Sequence, residues 1–131
     1  MTRSEAVLSP EEVVTLRNLL GVFLPSTSGP GANEAESVTY VIGRLRGRDR
    51  QWRGVVRDSL QSAGGDEAGY VARLAEANDD ESRVLFARLR SWAWEGFLCD
   101  PTYGGNRGNV GWRRFGAPEH PKARGYTPQE R

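Results

Sequence analysis

Apolar residues recur at intervals of three and four along the first hundred residues of this chain, as at Val13, Leu16, Leu20 and Phe23. That spacing places them on one face of a helix, whereas a half-buried strand needs alternation with a period of two. No stretch alternates for long enough to indicate a strand. The pattern therefore predicts an all-α fold.

Capping and breaking signals divide this region into a small bundle of about five helices. Ser9 and Glu12 form a capping-box pattern with Pro10 at the first helical position, and Pro25 ends the first helix. A second helix is predicted over about residues 34–46 and a last one over about residues 80–95. Between them, Trp52, Val55 or Val56 and Leu60 mark a third helix between Gly47 and the Gly64-Gly65 pair, and Tyr70, Val71 and Leu74 mark a shorter fourth. In the last helix, Gly96 is placed to cap it, and the inward-facing residues are predicted to be Val84, Leu85, Leu89, Trp92 and Ala93.

The composition changes after Cys99. Residues 100–131 contain four prolines and six glycines and show no apolar period, so turns and extended segments are expected there. We therefore divide the chain into a helical domain, residues 1–99, and an irregular Gly/Pro-rich arm, residues 100–131. The total length of 131 residues fits a single domain overall.

Charge and residue usage argue against several classes of protein. The net charge is +1, with −2 on residues 1–99 and +3 on residues 100–131, which is too weak for a nucleic-acid footprint. Basic residues do interleave with Trp52 between Arg44 and Arg53, but Asp49 dilutes them, and a solvated helix end explains the run better. A small nucleic-acid-binding protein stays as a minor alternative.

Single residues bound the remaining chemistry. One cysteine, Cys99, excludes an intramolecular disulfide, and one histidine, His120, excludes a His-rich metal site. Prolines on both sides of the Glu119-His120 pair indicate a structural loop, so catalysis by His120 is not expected. The beginning of the chain lacks a signal-peptide pattern and no segment is long enough to span a bilayer, so a cytoplasmic protein without membrane insertion is expected.

The segment from Phe97 to Trp112 is the hardest to explain as ordinary surface. Asp100 before Pro101 favours a turn, and Gly104, Gly105 and Asn106 tolerate positive φ. Tyr103 and Trp112 frame this turn, and each joins apolar area to one hydrogen-bonding tip, as residues at interfaces often do. From spacing alone, a loop packed on its own helical domain is an equally good interpretation.

The string G-F-x-x-D-P-x-Y-G-G-N-R-x-x-x-G-W, which spans residues 96–112, resembles the signature of the gluconate 2-dehydrogenase subunit 3 family. The start at residues 8–12, the Leu24-Pro25 pair and the run at residues 29–32 are similar to that family as well. The resemblance covers nearly the whole chain.

The resemblance implies a helical, non-catalytic small subunit that binds a large FAD-dependent dehydrogenase of the glucose-methanol-choline type. FAD and the catalytic base would belong to that partner, a cytochrome c subunit often joins the complex, and no cofactor is expected in this chain. Family members commonly carry a twin-arginine export signal, whereas this sequence starts close to the capping box. Export folded together with a signal-bearing partner is the alternative to a cytoplasmic location.

The predicted partner-binding residues all come from the signature segment: Phe97, Cys99, Asp100, Pro101, Tyr103, Gly104, Gly105, Asn106, Gly111 and Trp112. Cys99 is either a buried small apolar residue or the half of a disulfide with the partner. A free-standing chaperone or adaptor for the same flavoprotein is the rival interpretation. It would bind only before assembly, whereas a subunit would remain in the active complex.

Overall fold

The computed structural model describes residues 6–27 and 29–114, and over these residues the fold is all-α, as the apolar spacing predicts. Predictions that concern residues 115–131, His120 among them, lie outside the described residues. The helices are α1 (Pro10–Phe23), α2 (Ser37–Arg46), α3 (Arg53–Ala63), α4 (Glu67–Glu76), α5 (Asp80–Leu98) and α6 (Val110–Arg114). Short 3₁₀ turns cover Arg50–Trp52, Pro101–Tyr103 and Arg107–Asn109.

The predicted capping box begins α1. Ser9 Oγ accepts from the amide of Glu12 at 3.1 Å, and the Glu12 carboxylate accepts from the amide of Ser9 at 2.8 Å. Asp66 and Asp79 cap α4 and α5 in the simpler way, each accepting from an amide three residues further on. Because these caps satisfy amides that have no partner inside the helix, the helix starts are well determined locally.

α5 is the central helix, because it packs on α1, α2, α4 and α6. Its Trp92 and Phe97 are the largest fully buried side chains, and Leu16, Leu45 and Leu89 of the same core are fully buried as well. The indole Nε1 of Trp92 donates to the buried Asp49 carboxylate at 3.2 Å. The same oxygen accepts from Arg44 Nε at 2.8 Å, so the buried charge is paired.

Two predictions about α5 are wrong. Gly96 does not cap the helix but lies inside its last turn, which continues to Leu98. A Cβ at Gly96 would come within 2.8 Å of Ser37 Cβ, so glycine is needed there for the close approach of α2. Val84 was expected to face inward, yet it is 52% exposed.

α2 starts at Ser37, three residues later than predicted. Residues before it form a tight turn, in which Glu36 has a left-handed backbone with φ 58°. The Glu34 carboxylate accepts from the amide of Gly31 at 2.8 Å and from the hydroxyl of Ser26. Glu34 therefore closes the preceding loop instead of interacting with the first turn of the helix.

The beginning of the predicted arm is also different from the expectation. Residues 100–114 form two 3₁₀ turns and the five-residue α6, and they pack on α5 and α2. The expected turns are present, whereas extended backbone occurs at single residues such as Asp100 and not over a longer stretch in this described part of the arm. Residues 99–114, named the capping segment below, thus continue the helical domain.

Candidate partner-binding surface

The capping segment closes the C-terminal end of α5. A helix leaves its last carbonyls without partners inside the helix. Here the carbonyl of Gly96 accepts from the amide of Asn106 at 2.7 Å, and that of Cys99 accepts from the Asn106 side chain at 2.8 Å. The carbonyl of Leu98 accepts from the indole of Trp112 at 2.8 Å. Residues that follow these carbonyls by 7 to 14 positions therefore satisfy the end of α5.

Asn106 is the centre of this arrangement and is fully buried. Its Oδ1 accepts from the amide of Gly111 at 2.7 Å and from that of Trp112 at 3.4 Å, while its Nδ2 donates to Cys99. One side chain thus joins the end of α5 to the start of α6. The neighbouring amide of Arg107 donates to the carbonyl of Ala35 at 3.0 Å, which adds the turn before α2 to the network.

Glycine is needed in the capping segment for two separate structural reasons, a positive φ or a lack of space for a side chain. Gly104 has φ 97°, and Asn106 has φ 46°, as their residue types predict, whereas Gly105 does not have a positive φ. Gly105 is needed for space, because a Cβ there would overlap the carbonyl of Gly96. A Cβ at Gly111 would overlap the carbonyl of Phe97 in the same way. At Gly105 and at Gly111 the backbone approaches another part of the backbone so closely that any side chain would block the contact.

Asp100 and Pro101 form the turn that the sequence predicts. Asp100 is extended, with φ −62° and ψ 133°, and its carboxylate accepts from the amide of Thr102 at 3.0 Å. Pro101 takes the first position of the 3₁₀ turn, where its missing N–H leaves no bond unmade. This turn carries Tyr103 away from the bundle.

The ten predicted partner-binding residues consequently divide into three groups. Four are buried within the chain, namely Phe97, Gly105, Asn106 and Gly111. Five are half-buried, namely Cys99, Asp100, Pro101, Gly104 and Trp112. Tyr103 alone among the ten is exposed, with 68% of its surface accessible. The buried group supports the surface from below and is not available for contact with another protein.

A shallow groove of about 400 Å³ lies beside this turn. It is lined by Tyr40, Trp94, Glu95, Leu98 and Cys99. Trp94 and Leu98 are one turn apart on α5 and both are exposed. The 3₁₀ turn that ends at Tyr103 packs on α2, the helix that carries Tyr40, and it closely follows Cys99, which lines the groove. Tyr103 and the groove together form the candidate surface.

Sequence reasoning did not identify Tyr40 and Leu98 as members of this surface. Trp94 also lines the groove. The helical spacing offers a signal for Leu98, since Trp92, Ala93 and Phe97 already occupy the inward face of α5. Nothing in the local sequence indicates that Tyr40 would meet this end of α5.

The polar groups in the groove are held in their neutral or paired forms. The hydroxyl of Tyr40 donates to the Glu95 carboxylate at 2.8 Å. Burial and that hydrogen bond raise the pKa of Tyr40 to about 12. Burial also raises the pKa of the Cys99 thiol, which donates to the carbonyl of Gly96 at 3.8 Å. Cys99 is therefore a poor nucleophile in this state.

Within residues 6–27 and 29–114, no three His, Cys, Asp or Glu side chains are grouped so that they could hold a metal ion. No helix in this described part is long and apolar enough to cross a membrane. No protein-family model, curated protein or solved structure matches the chain.

Proposed function

We propose that this chain is a non-catalytic small subunit that binds, stabilises and helps to mature a large FAD-dependent sugar or sugar-acid dehydrogenase. The contact is made by Tyr103 and the groove next to it, and the FAD and the catalytic groups belong to the partner. The resemblance of residues 96–112 to the signature of the gluconate 2-dehydrogenase subunit 3 family suggests the class of partner.

The exposure of Tyr103 is the observation that carries the proposal. Contacts within the chain explain the residue types at the other motif positions. These residues cap a helix, allow a close approach of two backbones, adopt a positive φ or pack in the core. Arg107 is exposed as well, but solvent is the ordinary environment of a charged side chain. A large aromatic ring held in water by a rigid turn has no such reason, and aromatic rings of this kind are typical interface hot spots.

The surroundings of Tyr103 fit the same role. Trp94 and Leu98 add exposed apolar area, and Trp and Tyr contribute much contact area for little loss of side-chain freedom. Since the Trp112 indole and the Asn106 side chain hold the segment in place, the surface needs little ordering when it binds.

Co-expression with a large FAD-dependent dehydrogenase of the glucose-methanol-choline type from the same genome tests the proposal. The variant Tyr103→Ala with Leu98→Ser is expected to reduce the amount of flavoprotein that co-purifies by about tenfold or more, as the loss of a hot-spot residue does. The control Val14→Ser changes another exposed apolar residue, on α1, and is expected to retain the flavoprotein. Circular dichroism checks that both variants keep their helices.

Three outcomes would overturn parts of the proposal. Unchanged co-purification of the double variant would remove Tyr103 and the groove from the interface. Absence of a complex between the wild-type chain and the flavoprotein would reject the class of partner. An active, FAD-loaded enzyme that lacks this chain after gel filtration would favour the chaperone interpretation over a permanent subunit.

A further inference from the structure

A second surface lies at the other end of α5, where α3, α4 and the first turns of α5 enclose a cleft of about 690 Å³. α3 and α5 both pack on α4 and on α1, but they hardly contact each other. Val84 and Leu98 are separated by 14 positions on α5, which corresponds to about 20 Å of helix. The cleft is therefore distinct from the groove beside Tyr103.

Part of the cleft wall is apolar. Leu74 and Leu85 form its buried part, and Val55 and Val84 stand at its edges with exposures of 46% and 52%. Both valines occupy positions where a helix surface facing water is ordinarily polar. A helix laid between α3 and α5 would cover both valines and complete the packing that these two helices lack.

The charged side chains that line the cleft have one sign, although Arg88 on α5 lies over the ring of Trp52, a lining residue, at 5.4 Å. Asp58, Asp80 and Glu81 are exposed residues that line it, and none of the residues lining this described cleft is basic. The arginines next to it along α3 and α4 have other acidic neighbours: Arg57 bonds to Glu12 at 3.0 Å, and Arg73 lies 3.9 Å from Asp66. An occupant with positive charge beside an apolar stripe is complementary to this combination.

From these observations we propose that the cleft between α3 and α5 is a docking site for a basic amphipathic helix of a partner protein. The apolar stripe of that helix covers Val55 and Val84, and its Lys or Arg side chains lie against Asp58, Asp80 and Glu81. This is recognition of a helix in a groove, with the apolar face giving affinity and the charges giving orientation and speed of association. It does not depend on the function proposed for the surface around Tyr103.

A fluorescein-labelled peptide of about five helical turns, with leucines on one face and lysines on the other, is a suitable probe. In fluorescence anisotropy it should bind the full chain, and the binding should weaken with added salt because exposed charges are screened. A peptide with glutamate in place of every lysine should bind at least about tenfold more weakly. In a ¹⁵N correlation spectrum the amide shifts should concentrate at Val55, Val84 and their neighbours.

Variants test the two parts of the site separately. Asp58→Lys with Glu81→Lys should weaken binding of the lysine peptide by about tenfold, and Val84→Ser should weaken it as well. Glu11→Lys with Glu76→Lys is the matched control, because it makes the same change in net charge at exposed positions outside the cleft and again includes one site in the first turn of a helix. The control should keep the affinity of the wild type.

Failure of the lysine peptide to bind would overturn the proposal, as would equal binding of the glutamate peptide. Equal loss of affinity in the cleft variant and the control would show that only the overall charge matters. Dimerisation of the chain that Val84→Ser abolishes would identify a second copy as the occupant and reject a separate partner. Circular dichroism separates all of these outcomes from loss of fold.

Discussion

The side-chain amide of Asn106 donates to the carbonyl of Cys99 across 2.8 Å, while its oxygen accepts from the amide of Gly111 at 2.7 Å. A single buried residue from outside the helix thus ends α5 and begins α6. Most helices end with a glycine or with water at the last carbonyls. At the end of α5 the side chain of Asn106 satisfies a carbonyl instead, so the stability of this helix end depends on the identity of residue 106.

Asn106→Ala should lower the free energy of unfolding by about 2 to 4 kcal/mol, because it leaves buried donors and acceptors without partners. Urea unfolding followed by circular dichroism measures the change. Asn109→Ala is the matched control, since Asn109 shares the left-handed backbone, with φ 62°, but is only half-buried. A similar loss in both variants would assign the effect to backbone strain and not to the buried hydrogen bonds.

Gly111→Ala should destabilise the protein by about 2 kcal/mol or more, because its methyl group would overlap the carbonyl of Phe97. Gly43→Ala should have the opposite sign. Gly43 lies inside α2 with open space around it, so alanine there gains about 0.5 to 1 kcal/mol from helix propensity. Thermal unfolding of the two variants provides the comparison, and destabilisation by both would contradict the assigned contact.

Asp49 should contribute to stability in a pH-dependent way. Burial opposes ionisation of this carboxyl, but the hydrogen bonds from Arg44 and Trp92 outweigh burial and lower its pKa. A lowered folded-state pKa gives stability that is present above the unfolded pKa of about 4. That stability is lost as the pH falls below 4 towards the folded-state pKa.

Asp49→Asn should therefore be less stable than the wild type near neutral pH, and the difference should shrink as the pH falls below about 4. Melting temperatures measured from neutral to acidic pH give both curves. A difference that stays constant over this range would mean that the Asp49 charge does not matter and that the substitution acts through packing alone.

Cys99 should react slowly with iodoacetamide in the native chain at mildly alkaline pH. Burial raises the pKa of its thiol, so the thiolate fraction is smaller than in an unfolded chain. The alkylation rate in urea should exceed the native rate several-fold, and mass spectrometry follows the modified fraction. Equal rates in both states would show that the groove does not shield the thiol.

Local signals in the sequence predicted much of the fold correctly. The Ser9–Glu12 capping box and Pro25 act within one helical turn, so their effect can be read from a few residues. The inward face of α5 was right at Leu85, Leu89, Trp92 and Ala93 and wrong at Val84. A stripe of apolar residues predicts that a helix has a buried face. The width of that face depends on the helices packed against it, which are distant in sequence.

The errors at Gly96 and in the capping segment have the same origin. A glycine near the end of an apolar stripe indicates a helix end when only local structure is considered. In the folded chain Ser37 packs against Gly96, so the glycine provides space inside the helix. The composition of residues 100–114 indicates an irregular arm, and only the tertiary contacts of Asn106 show that the segment belongs to the bundle.

The bond from Arg107 to Ala35 connects parts of the chain that are 72 positions apart. Contacts this distant in sequence close large loops, and they tend to form after local helices are in place. The residues that follow Tyr103 thus take their place on the bundle only once α2 and α5 have met. A chain that has stopped at an earlier stage does not present this surface in its final shape, so binding through Tyr103 would itself select finished molecules from unfinished ones.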